Sequence, residues 1–107
     1  MAIEHIQDKA SMERCIQEAG GKLVVISFIS PTCRYCRMLM TYLENLNQEM
    51  RGVIFRKVDI NASPDLMDEY NIHSVPYTYL VKNGQLQNQV KGADEESLIN
   101  RIMELKD

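Results

Sequence analysis

Residues 23–29, LVVISFI, are apolar at every position but Ser27 and rich in β-branched side chains. Polar and apolar residues do not alternate in this run, so an extended chain here would have no face suited to water. A strand buried on both faces belongs at the centre of a sheet, usually a parallel one with helices on either side. The run is too short to cross a membrane. It therefore sets an α/β frame into which the flanking segments must fit.

They do fit. Residues 3–6 are predicted as a short edge strand. From Asp8 to Ala19, Met12, Cys15, Ile16 and Ala19 recur at the spacing of one helical face, and Gly20 and Gly21 supply a stop. A helix is expected from about Cys33 to about Met50, with Leu39, Leu43, Leu46 and Met50 on one face and Gly52 ending it. Residues 53–58 read as a second inner strand. Ser63, Pro64 and Asp65 open a short helix. Two strands then meet at Asn83-Gly84, a hairpin signal. Asp94, Glu95 and Glu96 start a last helix whose apolar face is Leu98, Ile102 and Leu105, with Arg101 and Lys106 toward its negative end. The predicted order is β-α-β-α-β-α-β-β-α. It implies an α/β fold, a central mixed five-stranded sheet flanked by four helices, over one domain spanning 1–107.

Composition narrows the function classes. With 107 residues, 45% apolar and 25% charged, the chain can bury a core without disulfide staples. The net charge of −3 comes from interspersed acids and bases, which argues against nucleic acid or an anionic membrane as partner. Two acids precede any apolar run at the N-terminus, unlike a secretory signal, so a cytosolic or nuclear protein is expected. Three cysteines are too few, and odd in number, for a secreted disulfide scaffold. In a reducing compartment a C-x-x-C pair is more often catalytic or metal-binding than a permanent staple.

Such a pair stands in PTCRYCR, residues 31–37, where the buried strand hands over to a helix. That is the carboxyl edge of the sheet, where α/β proteins commonly carry their chemistry. Cys33 is predicted in the first helical turn, where unpaired N–H groups and the macrodipole favour a thiolate. Such positions lower a thiol pKa from roughly 8.5 to about 3.5–7.5. Arg34 and Arg37 add positive charge. Cys36, one turn on, is expected to be more buried and within disulfide reach of Cys33. A packing-only role for the two thiols is the plain alternative. A zinc site needs four ligands, and His5, His73 and Cys15 are scattered; a site shared between two chains stays open.

Other candidates have ordinary readings. Cys15 is expected to pack as a small hydrophobe, with regulatory oxidation as the alternative. His5 and His73 are read as surface residues, and Met38, Met40, Met50, Met67 and Met103 as fillers of core gaps or helix surface. Of Tyr77 and Tyr79 at least one should be core. Asp65, Asp68 and Glu69 are read as a solvated helix face, not a metal site.

With the pair placed, the chain resembles the thioredoxin family, and most of all its small cytosolic eukaryotic members. The likeness rests on GGKLVVISF, VIFRKVDIN, SVPYTY, KNGQ and KGADEESL together with the Cys pair. It implies a thioredoxin fold and a protein-disulfide reductase, with Cys33 as nucleophile and Cys36 as resolving thiol. It further implies a cis peptide at Pro76 facing the pair. Substrate contacts would come from Thr32, Arg34, Tyr35, Val75, Pro76 and Gly92, and tuning from Lys57 and Ser27. No bound cofactor or metal is implied. Partners would be disulfide-containing proteins, with thioredoxin reductase or glutathione as electron donor, and the chain would act as a monomer.

Departures from the family pattern carry expectations of their own. Thr32 stands where a tryptophan is usual, Arg34-Tyr35 replace Gly-Pro, and Tyr35 resembles the glutaredoxin pair. Ser27 replaces a buried aspartate, so resolution by Cys36 should slow and Lys57 should turn to solvent or Asp59. Thr41 replaces a proline, so less helix kink is expected. Arg34 should favour the Cys33 thiolate and shift the potential toward the roughly −200 to −230 mV of glutaredoxins. Two rival readings stand beside this one: a docking module that keeps the fold, and a metal or iron–sulfur site shared across a dimer.

Overall fold

The structure, a computed structural model, describes residues 2–107. Nine elements follow in the expected order: β1 (Glu4–His5), α1 (Lys9–Glu18), β2 (Val24–Ile29), α2 (Arg34–Glu49), β3 (Ile54–Asp59), α3 (Pro64–Glu69), β4 (Tyr77–Lys82), β5 (Gln85–Lys91) and α4 (Glu95–Leu105). The strands form one sheet in the order β1-β3-β2-β4-β5. β3 runs parallel to β1 and β2, whereas β4 runs antiparallel to β2 and β5. The continuously apolar run is central, and all six residues of β2 are buried.

Strand alternation then sorts the core into two layers. Val25 and Phe55 face a layer built with Leu39, Leu43 and Leu46 of α2 and Leu98 and Ile102 of α4. Val24, Ile26 and Phe28 face the other, built with Met12 of α1, Leu66 of α3 and Ile72. Truncating a fully buried member such as Leu39 or Ile102 to Ala would cost about 2–5 kcal/mol. Tyr77 and Tyr79 are both half-buried against the second layer. The Tyr79 ring meets Phe28 edge-on at 5.5 Å, and its hydroxyl donates to the carbonyl of Tyr70.

Local signals explain most boundaries. Asp8 and Asp94 cap α1 and α4 by accepting the N–H of Ser11 and Ser97. Asn83 and Gly84 both take positive φ, 54° and 76°, as a tight primed hairpin turn requires. α2 ends at Glu49 with Met50 as its C-cap, two residues before Gly52. Ser63 sits at the cap position of α3 without capping it, because its buried hydroxyl donates to the Gln7 carbonyl at 2.7 Å. Arg101 is drawn to Glu104 at 3.0 Å and not to the carbonyl end of α4. At Thr41 the helix continues without interruption, and the hydroxyl donates back to the Arg37 carbonyl at 3.1 Å.

Candidate active site

The end of β2 and the start of α2 are joined by residues 30–33, and side chains hold this short loop. The hydroxyls of Ser30 and Thr32 lie 3.1 Å apart, and Asn61 Nδ2 donates to Ser30 Oγ at 3.2 Å. The Cys33 N–H donates to the Ser30 carbonyl at 3.1 Å. Asn61 was not among the sequence candidates. Its only signal is a position just past β3, the strand that pairs with β2.

Cys33 is the N-cap of α2, one residue earlier than the first-turn placement expected. Its backbone is extended (φ −89°, ψ 118°), and its Sγ accepts the Cys36 N–H at 3.2 Å. The sulfur thus occupies the place of a capping oxygen, among N–H groups that lack helical partners. Partial burial works against its anion. Hydrogen bonds from the Cys36 thiol and from the N–H groups of Cys36 and Tyr35, with the charge of Arg37, outweigh that penalty and lower its pKa.

Cys36 shows the reverse. It is 1% exposed. Burial, the hydrogen bond it gives to Cys33 and the Cys33 charge push its thiol up to about 12, against weaker help from the Ser30 backbone and Arg37. The two thiols are therefore driven apart, so that the outer sulfur ionises first and the inner one keeps its proton longer.

The sequence expectation named both Arg34 and Arg37 as cations near the thiols and gave Arg34 the leading effect on the thiolate. The structure assigns that effect to Arg37, which also donates to the Pro31 carbonyl at 3.2 Å. One helical turn separates Arg37 from the Cys33 cap, whereas Arg34 projects into solvent. Lys57 makes no ion pair with Asp59 among the described residues. Asp59 instead accepts the N–H of Asn61 at 2.9 Å and of Ala62 at 3.4 Å. Lys57 borders a cleft of about 250 Å³ with Ile29, Ser30, Pro31, Cys36 and Met40. Ser27 is fully buried, paired with Lys57 across the β2–β3 register, and its hydroxyl meets Thr78 Oγ1 at 2.9 Å. The place of an internal proton acceptor is thus taken by a neutral, satisfied hydroxyl pair.

The remaining site candidates converge on the same sheet edge. Phe28 pairs with Tyr77, so Val75 and Pro76, just before β4, lie beside the β2–α2 loop. The Val75–Pro76 peptide is cis. The Gly92 N–H donates to the Pro76 carbonyl at 2.8 Å, and Gly92 takes φ 79°. Thr32, Arg34 and Tyr35 are exposed around Cys33.

Other features lie elsewhere. Cys15, half-buried on α1, has its pKa raised by burial although Arg56 opposes the shift. His5 and His73 are exposed. A larger cleft of about 490 Å³, lined by His5, Asp8, Asp59 and Ser63 among others, contains no cysteine. Asp65, Asp68 and Glu69 are exposed, and no group of three or more His, Cys, Asp or Glu able to hold a metal gathers among the described residues.

Comparison with known proteins agrees with this geometry. A family model described as Thioredoxin matches residues 3–104. Human thioredoxin is 30% identical over 103 residues, covering 96% of this chain and 98% of the human protein. The X-ray structure of Fasciola hepatica thioredoxin superimposes with a TM-score of 0.94 at 28% identity, over 97% of this chain and all of that one. A chain from a study of thiol resolution in a yeast mitochondrial 1-Cys peroxiredoxin via glutathione/thioredoxin systems gives 0.89 at 28% identity, covering 96% and 95%.

Proposed function

The chain belongs to the thioredoxin family and is a thiol–disulfide oxidoreductase, and from that premise we propose that Cys33 is its attacking sulfur and Cys36 its resolving one. The observation that carries this assignment is the placement of the two thiols, Cys33 half-buried at the helix cap with its Sγ accepting the Cys36 N–H and Cys36 enclosed beneath it, which drives their pKa values in opposite directions.

In the proposed cycle the Cys33 thiolate attacks one sulfur of a substrate disulfide. A mixed disulfide forms, and the second substrate sulfur leaves as a thiolate. Loss of the Cys33 charge removes two of the effects that hold the Cys36 value up. Cys36 gives up its proton, for which the departing thiolate is the nearest base this reading provides. It then attacks the Cys33 sulfur, the Cys33–Cys36 disulfide forms, and the substrate sulfur that Cys33 had attacked leaves as a thiolate. Two electrons pass to the substrate, and a donor must return them.

We read Val75, Pro76 and Gly92 as the groove for an extended substrate segment, with Thr32, Arg34 and Tyr35 as its rim and Lys57 and Ser27 as tuning positions. Residues 1–107 would work as one unit and as a monomer, without a bound cofactor. Thioredoxin reductase or glutathione would return the electrons. Substrates would be protein disulfides, such as those of the peroxiredoxin system named with one structural relative. A reducing compartment, the cytosol or nucleus, would keep the pair reduced, and no helix among the described residues is long and apolar enough to cross a membrane. Dithiothreitol-driven reduction of insulin tests the activity. Cys36→Ser should trap covalent partners from a cell extract, and Cys33→Ser should trap none. Equal trapping by both variants would reverse or remove the assignment.

A further inference from the structure

The chain carries 15 acidic and 12 basic side chains, yet the charged residues that act on Cys33 and Cys36 or border their cleft are cations. Arg37 is the charged side chain that acts on both sulfurs, and Lys57 borders the cleft beside Cys36. Arg34 follows Cys33 directly and is exposed. None of these three joins an ion pair among the described residues; the ion-paired cations are Lys9, Lys82 and Arg101. Asp59, the nearest acid along β3, is turned to the N–H groups of Asn61 and Ala62. Between Arg34 and Arg37, Tyr35 is 63% exposed. Across the groove the sign changes, because Asp94, Glu95 and Glu96 open α4 just after Gly92.

An exposed cation outside any ion pair is free to meet an incoming anion, and exposed charges act over about 10 Å at 0.1 M salt. We propose that this site selects disulfides whose cysteine carries carboxylates on the flank lying over the start of α2, and disfavours basic neighbours there. The inference rests on Cys33 being the attacking sulfur and names the substrate class that would reach it. Arg34 supplies attraction at the rim, Tyr35 an apolar and stacking surface, and Arg37 a second charge one turn deeper. The acids of α4 disfavour the opposite placement, with carboxylates over Gly92.

The test compares three peptide disulfides that differ only in two residues beside the cysteine on one flank: Asp-Asp, Ser-Ser or Lys-Lys. At low salt the acidic peptide should show a kcat/KM about tenfold above the neutral one, with the basic peptide slowest. The spread should close as salt approaches about 1 M, where screening shortens to about 3 Å. Arg34→Glu should reverse the order, and Arg34→Lys should preserve it. Equal rates for the three peptides, or a preference untouched by both salt and Arg34→Glu, would overturn the charge reading. A wild-type chain that reduces none of them would instead overturn the sulfur assignment beneath it.

Discussion

Cys15 and Cys33 are the same residue on two helices that pack against opposite faces of one sheet. Both are half-buried, and both lie near an arginine, Arg56 for one and Arg37 for the other. Their titrations nevertheless move in opposite directions. Cys15 sits in the body of α1, where backbone N–H groups are committed to the helix, so burial dominates and the thiol is raised. Cys33 sits at the cap of α2, where the N–H groups of Tyr35 and Cys36 are uncommitted and a second thiol donates as well. The cation is common to both regions, so it does not decide the chemistry. Hydrogen-bond donors left over by the start of a helix do.

The largest test of this contrast is exchange of the sulfurs themselves. Cys33→Ser should reduce insulin turnover to the rate of dithiothreitol alone, whereas Cys15→Ser should stay within about twofold of wild type, as expected where no helix-start donors hold a thiolate. A large loss in Cys15→Ser, with the fold intact by circular dichroism, would break the comparison.

Alkylation by iodoacetamide across pH sharpens it. A lowered pKa keeps Cys33 as thiolate as pH falls, until the pH crosses that lowered value. Cys15 gains thiolate only as pH rises past the ordinary thiol range. At pH 7 Cys33 should therefore react at least about tenfold faster, followed by peptide mass spectrometry. Similar rates at that pH would show that the cap does not act on the sulfur.

Ser27→Asp tests the inner thiol. A carboxylate in place of the Ser27–Thr78 hydroxyl pair should speed release of a mixed disulfide by about tenfold or more. It should also lower stability by about 1–3 kcal/mol, because a neutral, satisfied pair is lost. Stopped-flow resolution and urea unfolding read the two effects separately, and unchanged resolution would remove the proton-acceptor argument.

The smallest effect belongs to Arg37→Gln. Its charge is exposed, so alkylation of Cys33 at pH 6 should slow by no more than about fivefold, the scale of one Coulomb pair at close range in water. A greater loss would give the cation the leading role assigned above to the donors.

Much of this arrangement was legible beforehand. The buried run 23–29 marked the central strand, the C-x-x-C pair after it marked the sheet edge, and Asn83-Gly84 marked the hairpin. These signals are local, because periodicity, caps and turn chemistry act over a few residues. The choice between Arg34 and Arg37, the pull of Gln7 on Ser63 and the tether from Asn61 were not legible. Each depends on which distant groups arrive at one place. A helix turns about 100° per residue, so neighbouring arginines reach different surroundings.

By itself the sequence determined the order of the elements, the central position of β2 and the placing of two thiols one helical turn apart. Hydrophobic patterning and short-range backbone preferences are sufficient for that. Only the tertiary structure decided that Cys33 is a cap, that Cys36 is the buried thiol with the raised pKa and that Ser27 is paired with Thr78. Those outcomes arise from burial and hydrogen-bond donors brought together from β2, α2 and β4, and no single stretch of the chain contains them.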